Sequence, residues 1–313
     1  MRVIKDLSAE IKGTNAHYFK LNELSEENAD SVLLYGYNVL RNPKIHEEIR
    51  LYKRKSYFNV TMPTEYFGAD PTLRDAAFDA IYGICPYSTR WLNEITSSGK
   101  YKPTFYPFND NDIPSRKEKI YDVCYHGGLH GEMWVECLNI LKKFNYRYMS
   151  MTKRINTLTR RNLHLTTNRN LTNNGKLNLI AKCKISVCYN TLQLTGPPQV
   201  ANVKKRNQWY KNEAFKYIEK LGIAPQFKSR FNEAAMCRTL NLVKRDPWNI
   251  AENYYVPDID FVYFDSNDEL EEKIRSILNN WEAYLPIVDS AYKTSMGYTT
   301  KKLYNIIKNG REV

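Results

Sequence analysis

The sequence predicts an α/β protein built on parallel sheets, and three observations carry that expectation. Short apolar runs such as Ser31–Gly36, Ile120–His126 and Ile185–Tyr189 alternate with segments of helical period, which is the β-α-β rhythm of a parallel sheet. Those runs are largely apolar rather than alternating, as in strands covered on both faces. At 313 residues the chain exceeds one ordinary domain, so two Rossmann-like domains are expected, the first small.

The first domain is placed at residues 1–108. Strands are expected at Met1–Ile4, Tyr18–Leu21, Ser31–Gly36, Ser56–Met62 and Asp79–Cys85. Asn42–Lys55 predicts a helix opened by Asn-Pro, with Ile45, Ile49 and Tyr52 on one stripe. Thr72–Phe78 suits a short helix, and Ser88 is the expected cap of a helix running to Ile95. Lys102–Phe108 is extended, and the polar, unpatterned stretch 109–119 is the expected linker.

The second domain is placed at residues 120–284. It opens with the strand Ile120–His126, then Gly127-Gly128-Leu129-His130-Gly131, then a helix over Glu132–Phe144. A strand, a glycine turn and a helix N-terminus together cradle phosphate with backbone N–H groups, so Gly127 and Gly128 are candidate anion ligands. The same glycines also suit a plain tight turn. His126 and His130 flank that turn, and either could hold phosphate as a cation or orient a leaving group.

Further on, Tyr146–Met151 is a strand, Arg160–Asn174 a polar loop and Lys176–Cys183 a helix. The strand Ile185–Tyr189 follows, leaving Asn190 and Gln193 beyond its carboxyl end and facing a ligand crevice. Trp209–Leu221 predicts a helix stopped by Gly222.

The densest stretch is Ser229–Phe264, expected as helix, strand, loop and strand. Arg230 and Glu233 lie three apart and share a helix face. Ala234 and Ala235 let that helix approach a sheet, and Thr239–Val243 makes a buried parallel strand ended by Lys244–Pro247. An acid at such a strand end can take two ribose hydroxyls, and a base beside it can hold phosphate. Glu233 is the candidate acid and Lys228 and Arg230 the candidate bases, while Glu252 follows in the loop. The chain closes with a helix over Asp268–Trp281, capped by Asn267/Asp268, and helices over residues 285–313 interrupted near Gly297.

The run R-F-x-E-A-A-x-C-x-T-L-x-L-V, then Glu252 and V-x-Y-F before an acidic helix, resembles the donor-binding half of GT-B glycosyltransferases, group-1 and CgeB-like. The resemblance covers roughly residues 120–310. It implies two Rossmann-like domains facing each other across a cleft, with the last helices crossing back to the first domain. It implies a sugar moved from a nucleoside diphosphate sugar to an acceptor hydroxyl, with no metal or other cofactor. The acceptor would be a glycan or a lipid-linked saccharide, and the general base of an inverting enzyme would come from the first domain. Glu65, in the loop TEYFGADPTLRD, is the candidate by position, beside Asp70 and Asp75. Two positions depart from the family pattern: Arg238 stands where the family has glycine, and Pro225 where it has a paired acid.

The net charge of +12 is uneven, because no acidic residue occurs between Glu136 and Glu213. That interval holds Arg154, Arg160 and Arg161 among its bases, and one-sign charge of this kind calls for an anionic partner. Nucleic acid, an acidic glycan or a membrane surface would serve. DNA glycosylation, or nucleic-acid binding by a chain that has lost transfer, therefore stands as the alternative. No helix-turn-helix, finger or RNP motif supports the latter. The six cysteines lack zinc spacing, and neither a membrane-spanning apolar run nor a signal-peptide core is present. A cytoplasmic setting is expected.

Overall fold

A computed structural model describes residues 1–5, 19–35, 43–59, 77–129, 131–150, 157–193, 220 and 222–310. The chain forms two compact units. One comprises Met1–Asn109, Gly196–Gln226 and Tyr298–Val313, the other Asp110–Thr195 and Phe227–Gly297.

In the first unit, β1 (Arg2–Lys5), β2 (Ser31–Tyr35), β3 (Arg54–Asn59), β4 (Ala80–Gly83) and β5 (Tyr101–Pro103) form a parallel sheet in chain order. Val32, Leu33, Leu34 and Tyr35 of β2 are all buried, which is why that strand is apolar throughout. Helix α1 (Pro43–Ile49) connects β2 to β3, and α2 (Pro86–Thr96) connects β4 to β5.

Several expectations are corrected in this unit. The helix foreseen over Asn42–Lys55 stops at Ile49, and Arg54 already pairs in register with Ser31. The apolar stripe continues to Tyr52, but sheet pairing takes the chain from Arg54 onward. Leu21 opens a 3-10 turn rather than ending a strand. Helix α2 begins two residues before Ser88, with Pro86 in its first turn and Cys85 at the cap. The expected helix at Thr72–Phe78 lies mostly outside the described residues, and that at Trp209–Leu221 almost wholly so.

The last helix of the chain, α9 (Thr300–Asn309), belongs to this unit and follows a 3-10 turn at Met296–Tyr298. The interruption near Gly297 is therefore real, and the Thr299 hydroxyl caps α9 by accepting from Lys302 N at 3.3 Å. The Tyr304 hydroxyl donates to the Met1 carbonyl at 3.1 Å.

The second unit holds a six-stranded parallel sheet: β6 (Tyr121–His126), β7 (Tyr146–Ser150), β8 (Asn168–Arg169), β9 (Cys183–Tyr189), β12 (Leu240–Lys244) and β13 (Val262–Phe264). Between β9 and β12 the chain also forms two short strands, β10 (Thr191–Gln193) and β11 (Ile223–Pro225). The spatial order is β13-β12-β9-β6-β7-β8. The chain thus leaves β6 toward β7 and β8, then returns to the other side of β6 as β9. That reversal opens a crevice beyond the carboxyl ends of β6 and β9.

Helices α3 (Glu132–Leu141) and α7 (Asn267–Asn279) bury Trp134, Leu138, Leu141, Leu270, Ile274 and Ile277 in one core with the strand residues Val123, Tyr125, Ile185, Val187, Leu240 and Leu242. Helix α5 (Asn173–Ile180) precedes β9, and α6 (Ser229–Met236) precedes β12. Ala234 and Ala235 are fully buried, as the close approach of α6 requires. Helix α8 (Trp281–Ser295) follows α7.

The Arg160–Asn174 loop is more structured than expected. It carries the end of α4 (Thr157–Arg161), a 3-10 turn and the edge strand β8, and α5 starts at Asn173. Thr172 caps α5, its hydroxyl accepting from Gly175 N at 3.1 Å. The cap of α7 is Ser266 rather than Asn267/Asp268. Arg238, where the family has glycine, takes the left-handed conformation at φ 52° just after α6. Its guanidinium lies 3.5 Å from the centroid of the Tyr292 ring, a cation–π contact that offsets part of the strain. All six cysteines are buried free thiols. No described helix is long and apolar enough to cross a membrane.

Candidate functional site

The carboxyl end of β6 delivers Tyr125 and His126 to the crevice, followed by Gly127 and Gly128. Gly127 has φ 120°, a conformation that glycine alone tolerates. Its missing side chain also makes room: a Cβ there would lie 2.4 Å from Arg230 Nη2 and 2.9 Å from Arg230 Cζ. Into that space comes the Arg230 guanidinium from the first turn of α6. Its Nη1 donates to the Tyr125 hydroxyl at 2.6 Å, and that hydroxyl donates to the Gly128 carbonyl at 3.1 Å. The bases and the glycine turn foreseen from the sequence are thus brought together.

The N-terminus of α6 is an anion site by construction. Lys228 occupies its cap position and no side chain caps the helix, so the dipole and first-turn amides are directed outward. Two cations, Lys228 and Arg230, crowd the same end. Burial first, and the Arg230 charge second, push the Lys228 amine well below the usual lysine value. Asn190, fully buried beyond β9, accepts from the Lys228 backbone N–H at 3.2 Å through Oδ1. Its Nδ2 has no hydrogen-bond partner among the described residues.

One turn along α6, Glu233 is nearly enclosed, its side chain 12% exposed. Oε2 lies 2.7 Å from Lys176 Nζ of α5 and 3.2 Å from His126 Nδ1. Burial opposes ionisation of this carboxyl, but the Lys176 charge and the His126 hydrogen bond outweigh it and hold the group well below the usual carboxylate range. Both of these contacts fall on Oε2. Burial pushes the His126 imidazole down against the pull of Glu233. Its Nδ1 meets Glu233 Oε2, and its Nε2 faces the Ser186 hydroxyl at 3.4 Å.

His126 is thus buried, 2% exposed, with its ring between Glu233 and Ser186. Serine, histidine and glutamate stand here in the order of a hydrolase triad. Ser186, however, is fully buried within β9, where no acyl carbonyl reaches it.

Glu252 is exposed on the 3-10 turn Ile250–Asn253. Among the described residues it makes no hydrogen bond or ion pair with Arg230 or Glu233. It lies instead near Asp246, whose carboxyl is pushed up to about 6, by burial first and by Glu252 after it. Arg160 and Arg161 are exposed on α4 and take no part in this cluster. Glu65, His130 and Arg154 lie outside the described residues.

Lys176, Tyr125 and Ser186 complete the cluster and were not among the candidates. Lys176 lies in the acid-free block, yet it is 5% exposed and paired. Lys143 of the same block pairs with Glu271 at 2.5 Å.

A pH prediction follows from Lys228. An anion bound at α6 raises its depressed pKa, so binding takes up a proton between that depressed value and the ordinary 10.5. Affinity for a nucleoside diphosphate should therefore fall as pH rises through this window. Calorimetric titration in buffers of different ionisation enthalpy should show proton uptake, and Lys228→Met should abolish it. No uptake by the wild type would place the anion elsewhere.

Residues 151–302 match a family model described as glycosyl transferase-like. No curated protein matches the chain. Among solved structures, HepE of Anabaena in complex with UDP and glucose superposes with TM-score 0.59 at 12% identity, over 97% of this chain and 83% of that one. Pneumococcal O-GlcNAc transferase GtfA in complex with UDP and GlcNAc gives 0.54 at 10%, over 90% and 56%. Sucrose-phosphate synthase from Thermosynechococcus elongatus gives 0.55 at 8%, over 90% and 72%. This chain thus spans little more than half of the GtfA chain. The fold is that of the GT-B glycosyltransferases, two parallel sheets with helices. The resemblance drawn from the sequence to group-1 glycosyltransferases of GT-B fold agrees with both the family model and the fold.

Proposed function

We propose that this chain transfers a sugar from a nucleoside diphosphate sugar to a hydroxyl of a glycan or other polyol, without a metal. The observation that carries the reading is the convergence at the β6/β9 reversal. An uncapped helix N-terminus with Lys228 and Arg230 faces the glycine turn, and an ionised Glu233 stands one turn further on. The positive end fits a diphosphate, whose leaving charge it would stabilise. The carboxylate fits the ribose diol. Gly127, Gly128 and Asn190 line the donor, and UDP in the HepE and GtfA complexes supports a nucleotide of this kind. From their sequence positions alone, Glu65 is proposed as the base of an inverting reaction, His130 as a second catalytic group and Glu252 as a sugar contact. The CgeB-like placement rests on the R-F-x-E-A-A-x-C run.

A panel of nucleoside diphosphate sugars tests the donor. The matching one should raise the melting temperature, corresponding to about 2.7 kcal/mol at a hundredfold excess over Kd, and transfer should survive excess chelator. If no donor shifts the transition, the reading fails; if chelator abolishes transfer and manganese restores it, metal independence fails.

The acid-free block bears on the acceptor, because Arg160 and Arg161 are exposed side by side. An acidic glycan best fits both this surface and the fold. Arg160→Glu with Arg161→Glu should weaken binding of a sulfated oligosaccharide and flatten its salt dependence, with donor affinity unchanged. DNA, the other polyanion, has no comparison behind it. A duplex that binds with a slope of about −0.9 in log K against log salt per phosphate contact would revive it.

A further inference from the structure

We propose that Lys176 is a positioning residue for ribose recognition: it fixes Glu233 so that one carboxylate oxygen is turned to the nucleotide's 2′- and 3′-hydroxyls. The proposal rests on the donor reading above, and deepens it.

Lys176 stands on α5, an element that contributes nothing else to the cluster. Its ammonium is drawn into a 5% exposed position and ends 2.7 Å from Glu233 Oε2. Desolvating a lysine is costly unless geometry repays it. A lysine on the solvent-facing side of this helix would avoid that cost. The pair with His126 on the same oxygen gives the carboxylate two fixed donors, from α5 and from β6. With Oε2 so held, the carboxylate cannot rotate freely, and its remaining lone pairs present a single orientation.

The groups facing Glu233 are therefore Lys176 from α5 and His126 from β6, with Arg230 one turn before it on α6. Arg230 is committed to Tyr125, so Lys176 is the cation that keeps Glu233 ionised. An ionised acceptor binds a hydroxyl pair more strongly than a neutral one. Without Lys176, Glu233 would still reach His126, but it would be free to turn and more prone to protonate. A merely structural ion pair would support the fold and leave ribose selectivity unmoved, and the test separates the two on that point.

The four ribonucleoside diphosphates are titrated by calorimetry, and the tightest is compared with its 2′-deoxy counterpart. Wild type should prefer the ribonucleotide by about tenfold or more, the strength of a hydrogen bond to a charged group. Lys176→Met should bring the ratio close to one, weakening the ribonucleotide more than its 2′-deoxy counterpart. Lys176→Arg should restore much of the preference. Should Lys176→Met fail to fold, judged by circular dichroism, Lys176→Gln is read in the same way. A folded variant that keeps the wild-type ratio overturns the proposal, as does a wild type that binds both nucleotides equally. A wild type that binds no nucleoside diphosphate instead overturns the donor reading itself, so the two failures are distinct.

Discussion

Glu233→Ala is expected to destabilise the second unit by about 3–5 kcal/mol, as well as abolishing donor stabilisation. Removing one member of a buried ion pair leaves the other as an uncompensated charge, and that residual cost dominates. Lys176, 5% exposed, would be that charge, and His126 would lose the acceptor of its Nδ1 proton. In the sequence, Glu233 is the candidate acid for ribose hydroxyls. The structure gives it a structural role as well, as the partner of the buried Lys176.

The sign with pH follows from its depressed pKa. The ionised pair stabilises the fold above the unfolded carboxyl's ordinary range, and that stability is lost as pH falls through the lowered native value. The variant should therefore show a flatter acid limb in urea midpoint against pH. Glu233→Gln keeps the shape and removes the charge, so it should fall between wild type and alanine in stability. A Glu233→Ala protein as stable as wild type at neutral pH would mean that Lys176 is not desolvated by this contact.

Much of this architecture was legible because parallel strands announce themselves locally. The apolar runs ending at His126 and at Tyr189 form buried strand ends, and the glycines after the first require a turn. The face shared by Arg230 and Glu233 follows from helical period alone. Lys176 could not be read that way. In sequence it is one more base in an acid-free block, and only the packing of α5 against α6 shows that its partner is a glutamate far along the chain. Tyr125 is hidden for the same reason, since an apolar strand does not reveal which hydroxyl meets an arginine. Helix α1 shows the converse failure. Its stripe runs on to Tyr52, yet the chain turns at Arg50–Tyr52 through bonds such as Tyr52 N to Ile49 O at 3.2 Å. Non-local pairing of β3 with β2 decides the boundary there, and local pattern does not see it.

Gly127→Ala should separate binding from folding in the opposite direction, with a modest loss of stability and a large loss of donor affinity. The backbone at φ 120° strains an alanine by about 1–3 kcal/mol. The new Cβ would meet Arg230 Nη2 at 2.4 Å, but that atom is the far end of a flexible side chain, so the clash is relieved by moving the guanidinium. Relief carries a functional cost, because the guanidinium leaves the Tyr125 hydroxyl that holds it at 2.6 Å. Arg230 then no longer stands beside Lys228 at the mouth of α6, and a charge-assisted contact worth roughly 1.5–3 kcal/mol is lost. Affinity for a nucleoside diphosphate should fall by about ten- to a hundredfold. Arg230→Met should fall similarly, and the double variant Gly127→Ala/Arg230→Met should be little worse than either, since both remove the same contact. Full additivity in that cycle would show that the glycine serves the turn alone and that its closeness to Arg230 has no part in holding phosphate.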